Sequence, residues 1–154
     1  MTKYSSTKLF DGYSTCFRQW KADGTHCRFL HGYAVSFRVW FEGDLDHRNW
    51  VWDFGGMKRA KTKMNGMSPK DYFAYLLDHT TIIAEDDPHL TLFKQMNAEG
   101  IIQLRILPAT GCERFAEYLY DTINAFLELE TDNRVRATKV EVYEHERNAA
   151  SYGE

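Results

Sequence analysis

The sequence predicts an α+β fold built on an antiparallel sheet. Three observations carry that expectation. Residues 33–41 alternate with a period of two, residues 113–127 carry an apolar stripe at spacings of four, and both long strands precede the helices while one strand closes the chain. Residues 8–18 are rich in aromatics and read as the first strand. A polar loop, 21–28, follows and carries His26 and Cys27. The second strand places Tyr33, Val35, Phe37, Val39 and Phe41 on one face, with Ala34, Ser36, Arg38 and Trp40 on the other, as a strand with one buried side requires. Gly43 and Asp44 turn the chain, residues 50–54 extend the strand, and Gly55-Gly56 breaks it.

Residues 57–77 are predicted helical, interrupted at Gly66 and Pro69, with Ser68 capping the second half. A short helix over 90–98 is stopped by Gly100, and the apolar run 101–107 reads as a short strand before Pro108. Phe115, Leu119, Ile123 and Leu127 line one side of the next helix. Residues 135–143 alternate again and give the last strand. No repeat or linker divides the 154 residues, so they read as a single domain. Such a small sheet exposes its edges, which invites copies of the chain to pair.

Composition narrows the function. Aromatics make up 15% of the chain, which suits extensive sheet or surface buried between subunits. The formal charge is −3 and no run of Lys or Arg is present, which argues against a nucleic-acid partner. No stretch approaches the roughly 20 apolar residues of a membrane span, and residues 1–10 lack the apolar core of a signal peptide. Three cysteines, Cys16, Cys27 and Cys112, are too few for a disulfide framework and point to the cytoplasm.

Chemistry-bearing residues fall into three groups. Cys16, His26, Cys27 and His31 crowd the first hairpin, and thiolate and imidazole are good zinc ligands. The spacing matches no structural zinc signature, and a buried thiol with surface histidines is the plainer reading. Asp78-His79 pairs a carboxylate with an imidazole, the makings of a base poised near neutral pH, or else a polar helix end. Glu144 ends the last strand, where a carboxylate can accept two hydrogen bonds from an amidine-like ring edge.

Taken together, these positions resemble the 6-pyruvoyl/6-carboxytetrahydropterin synthase family. Cys27-Arg-Phe-Leu-His31-Gly32 is similar to C-x3-H-G-H, and Trp52-Asp53-Phe54-Gly-Gly-Met57-Lys58 to V-x-D-F-x-x-L-K. Leu77-Asp78-His79 matches L-D-H, and Gly111-Cys112-Glu113 with Phe115 and Ala116 resembles P-T-S-E-x-x-A. Val140-Glu-Val-Tyr-Glu144, with Tyr152 downstream, is similar to V-x-V-x-E-T and its later tyrosine. The order holds from about residue 8 to the C-terminus.

The resemblance implies the tunnelling fold: a four-stranded antiparallel sheet with two helices on one face, closing into barrels. It implies a homohexamer of two stacked trimers with active sites between subunits. The implied substrate is 7,8-dihydroneopterin triphosphate, converted to 6-carboxytetrahydropterin, acetaldehyde and triphosphate on the way to 7-deazaguanines such as queuosine. The three-residue gap between Cys27 and His31 resembles this carboxy-forming branch. Cys27 would abstract a proton, Asp78 and His79 would relay it, and Glu113 and Glu144 would bind substrate. The family's zinc is held by three histidines, one on the first strand and two in H-G-H. Here Cys16 is expected at the first place and His31 at the second, Tyr33 stands at the third, and His26 is a further donor.

Overall fold

Alternation in the first hairpin builds the middle of the sheet. β1 (Ser5–Phe17) and β2 (His31–Gly43) pair antiparallel, with Phe10 opposite Phe37 and Phe17 opposite His31. The computed structural model describes residues 4–154; the first three residues of the polar N-terminal segment lie outside the described part. Val35, Phe37, Val39 and Phe41 are buried on the face covered by helices.

One irregularity matters for everything at the end of this hairpin. Between Phe10 and Tyr13, β1 carries Asp11 and Gly12, whereas β2 carries only Ser36 between their partners Phe37 and Val35. Gly12 has φ +86°, a conformation glycine enters without a Cβ penalty. The extra residue is a β-bulge, and it reverses the facing of every later side chain on the strand. Phe10, Tyr13, Thr15 and Phe17 therefore share the helix-covered face, while Cys16 points to the other.

β5 (Val135–His145) pairs antiparallel with β2, and β6 (Asn148–Gly153) with β5. Thr138 is an extra residue in β5, and the Asn124 side chain bonds both the N–H and the C=O of Ala137 beside it, at 2.8 and 3.0 Å. Those four strands make the antiparallel sheet expected of the tunnelling fold. The sheet itself has six, in the order β4-β3-β1-β2-β5-β6. β3 (Thr80–Ala84) and β4 (Leu104–Leu107) join parallel to the outer side of β1, so the purely antiparallel, four-stranded expectation is corrected to a mixed sheet. β3 meets β1 only at Thr15, Cys16 and Phe17, the far end of that strand.

Helices cover the apolar face. After a single turn, α1 (Gly56–Arg59), the chain breaks through residues 60–68 and resumes as α2 (Pro69–Leu77), where Ser68 Oγ accepts from the Asp71 N–H. Phe73 of α2 meets Phe10 and Phe37 edge-on, with ring centroids 5.1 and 5.0 Å apart. α3 (Leu90–Ala98) links β3 to β4 and ends ahead of Gly100 at φ +77°. α4 (Cys112–Glu130) lies over β5 and β6, burying Phe115, Leu119, Ile123 and Leu127 as its stripe predicts. Among the described residues, no helix is long and apolar enough to cross a membrane.

Residues 50–54 do not extend β2. Asp46 accepts the N–H groups of Arg48 and Trp50, Asn49 takes φ +66°, and the chain loops away. Val51 and Trp52 are buried nonetheless, with Trp52 edge-on to Phe126 at 6.1 Å.

Candidate active site

Three strands, a turn and the start of a helix converge on the helix-covered face at the loop end of the hairpin, which lies open to solvent at His31. Tyr33 is central: its ring stacks on Phe17 at 4.2 Å and lies 4.4 Å from the ring of His31. Cross-strand pairing puts Thr15 opposite Tyr33 and Phe17 opposite His31, so all four share one face. Glu144 continues the face of Val140 and Val142 on β5. Cys27 arrives on a 3-10 turn, His26–Arg28, capped by Thr25, whose Oγ accepts the Cys27 N–H. Cys112 and Glu113 open α4, behind Gly111 at φ +112°.

The protonation states report their proximity. Burial pushes the Tyr33 phenol up to about 12, and the nearby Glu144 carboxyl and the Cys27, Cys112 and Cys16 thiols add to the rise. Burial likewise pushes the Cys112 thiol up to about 12, with Glu144 and Glu113 reinforcing it. Both groups are neutral donors near neutral pH. Glu144 accepts one hydrogen bond, from Asn148 Nδ2 at 3.1 Å. A carboxylate with free lone pairs, flanked by neutral O–H and S–H groups, is suited to an amidine-like ring edge.

Asp78 and His79 stand elsewhere, on the outer side of β1. Asp78 Oδ1 accepts the Ser14 N–H at 3.0 Å, and the His79 N–H donates to Ser14 O at 2.6 Å. His79 takes φ +56° to make this turn, and its ring is 76% exposed. Its Nδ1 lies 3.0 Å from Asp78 Oδ1. Because a carboxylate accepts, Nδ1 carries the hydrogen and Nε2 is left as a base facing solvent. The Ser14 N–H, and then His79, hold the Asp78 carboxyl below the usual carboxylate range. Within one chain the two side chains bond to the Ser14 N–H and to each other, the His79 carbonyl accepts from Gln103 Nε2 at 3.0 Å, and among the described residues no hydrogen bond ties the pair to the Cys27 cluster.

The expected zinc ligands do not come together. Cys16 faces the opposite side of the sheet from His31, beside Gly32 and Thr81. Burial raises its thiol above the usual range. His26 is exposed on its turn, its ring near only Phe29 at 6.3 Å. Among the described residues, no three His, Cys, Asp or Glu side chains lie close enough to share a metal ion. One imidazole, a neutral phenol and a phenyl ring do not fit zinc. The expectation of Cys16 at the first ligand place is corrected by the Gly12 bulge, which turns Phe17 to the position opposite His31. Phe17 was missed because phenylalanine carries no ligand chemistry; its signal was the register, which appears only once the bulge is placed.

The fold and this cluster define an α+β protein of the tunnelling-fold type. The family model described as 6-pyruvoyl tetrahydropterin synthase matches residues 7–154. The chain belongs to that family, whose enzymes are lyases acting on pterins. No curated protein matches by sequence. Among solved structures, an uncharacterized protein from Wolinella succinogenes is similar at 19% identity and TM-score 0.80, with 97% of each chain covered. The 6-pyruvoyl tetrahydropterin synthase of Caenorhabditis elegans is similar at 15% identity and TM-score 0.62, covering 98% of this chain and 95% of that one. The Plasmodium falciparum enzyme is similar at 14% identity and TM-score 0.64, with 99% of each covered.

Proposed function

We propose that this chain cleaves the side chain of a reduced pterin by proton transfer. Cys27 abstracts the proton, and Asp78 and His79 from a neighbouring copy relay it. Glu144, with Glu113 nearby, grips the pterin ring edge. The observation carrying this reading is the convergence of Cys27, Tyr33, Cys112 and Glu144 at one end of the sheet, where Glu144 lies close enough to both Tyr33 and Cys112, and Cys27 to Tyr33, to add to the rise that burial imposes on the phenol and the Cys112 thiol. The exposed Asp78–His79 pair supports completion of the site by a second copy, in a hexamer of stacked trimers, since its base faces outward. A cytoplasmic location agrees with three unpaired cysteines.

Following the resemblance, we propose 7,8-dihydroneopterin triphosphate as the substrate and 6-carboxytetrahydropterin as the product, a precursor of 7-deazaguanines. A second reading, retro-aldol cleavage of another reduced pterin, draws support from the aromatic residues at the metal position, because acid–base work on a pterin side chain needs no Lewis acid.

Incubation with 7,8-dihydroneopterin triphosphate is expected to release acetaldehyde and triphosphate, and Cys27→Ala and His79→Ala to abolish release. Mixing those two inactive variants is expected to restore part of the activity if the groups come from different copies. Consumption of dihydroneopterin with a two-carbon aldehyde released would favour the second reading. No turnover of either pterin by the oligomeric protein would remove both.

A further inference from the structure

We infer that this chain has exchanged the family's metal for an aromatic stack at the same three positions, Phe17, His31 and Tyr33, and binds no zinc there. The register carries the inference. Phe17 lies directly opposite His31, and Tyr33 lies two residues further along the same face of β2. Cβ atoms directly across a ladder are about 5 Å apart, and residues two apart on one strand about 7 Å. Three imidazoles at these positions would reach a common point with the roughly 2 Å bonds that zinc requires.

His31 is already set for that role. Its Nδ1 lies 2.8 Å from the Phe29 carbonyl oxygen, which can only accept, so Nδ1–H donates and Nε2 presents its lone pair. The other two places are closed. Phe17 is fully buried, stacked on Tyr33 and edge-on to Phe115 at 4.8 Å, so its ring fills the space a ligand and ion would occupy. Tyr33 offers a phenol, a poor zinc ligand, and its ring is already taken up between Phe17 at 4.2 Å and His31 at 4.4 Å. Cys16 cannot substitute, because the strand presents it to the opposite face. The exchange is independent of whether the proposed lyase reaction occurs, since it concerns only what these three side chains hold.

Metal content tests it without an activity assay. The chain, expressed in zinc-supplemented medium and dialysed against micromolar zinc, is expected to retain less than about 0.1 zinc per chain by elemental analysis. The double variant Phe17→His with Tyr33→His is expected to retain about one zinc per chain, and cobalt in its place to give the visible absorption of a tetrahedral site. Cys16→Ser is expected to change neither result. Stoichiometric zinc in the unaltered chain, lost in His31→Ala, would overturn the inference. So would a folded double variant, by circular dichroism, that takes up no metal. Should the double variant not fold, the zinc content of the unaltered chain decides alone.

Discussion

The middle of the β1–β2 hairpin and its loop end, open to solvent at His31, use aromatic rings for opposite purposes. In the middle Phe10, Phe37 and Phe73 pack against one another with centroids 4.8–5.1 Å apart. At the open, loop end Phe17 stacks on Tyr33 and His31 lies tilted against the same ring, yet they border thiols and carboxylates. The first arrangement spends burial on stability. The second uses it to hold a phenol and a thiol neutral beside Glu144. The same kind of contact therefore sets cohesion in one place and protonation in the other, according to what the sequence places beside the rings.

Substitutions in the two places should separate these roles. The largest effect is expected from Phe37→Ala, which removes a fully buried ring and should cost about 3–5 kcal/mol in denaturant unfolding. A loss below about 1 kcal/mol would mean the middle of the hairpin does not anchor the sheet.

Next comes the clasp that fixes the added strands beside the open end. Arg18 donates twice to Asp87, at 2.7 and 2.8 Å, and the Asp87 side chain is 1% exposed. Asp87→Asn should cost about 3 kcal/mol. Burial raises the Asp87 pKa, but the Arg18 bonds and the His89 N–H outweigh it and hold the carboxyl below its ordinary value. Its contribution is therefore present above about pH 4 and lost as pH falls through the lower folded value. Acid titration of stability should show that loss in the parent and a smaller one in Asp87→Asn.

At the open end, Glu144→Gln should weaken binding of a reduced pterin by about 2 kcal/mol, read from ligand fluorescence, while leaving the unfolding midpoint nearly unchanged. A parallel loss of stability would recast Glu144 as structural. The smallest effect is kinetic. With its pKa near 12, Cys112 holds only about one part in ten thousand as thiolate at pH 8, so a thiol reagent should label it last, and fully only on unfolding. Early labelling of Cys112 would show that the open end is wetter than its packing implies.

How far the sequence could be read follows the same physics. β2 and α4 were plain, because Val35–Phe37–Val39–Phe41 and Phe115–Leu119–Ile123–Leu127 each bury one side of a regular element. β3 was missed because Thr80–Ala84 is buried on both faces and shows no alternation. β6 was missed because Asn148–Gly153 is an exposed edge of small residues. Residues 50–54 misled in the other direction, since Val51 and Trp52 are buried from a loop. At the site, composition and motif pointed to Cys27 and Glu144, and Tyr33 lies near both. The metal position was not legible, because it depends on a single extra residue whose effect appears five positions later.

That residue gives the strand a kind of reading frame. Were Gly12 kept within a regular pleat instead of being accommodated as a bulge, the pairing would slip by one residue, placing Cys16 opposite His31 and turning Phe17 outward; deleting Gly12 would instead leave Phe17 opposite His31. The choice between a sulfur donor and a phenyl ring at this spot is thus written in the parity of the backbone, upstream of any change to either side chain.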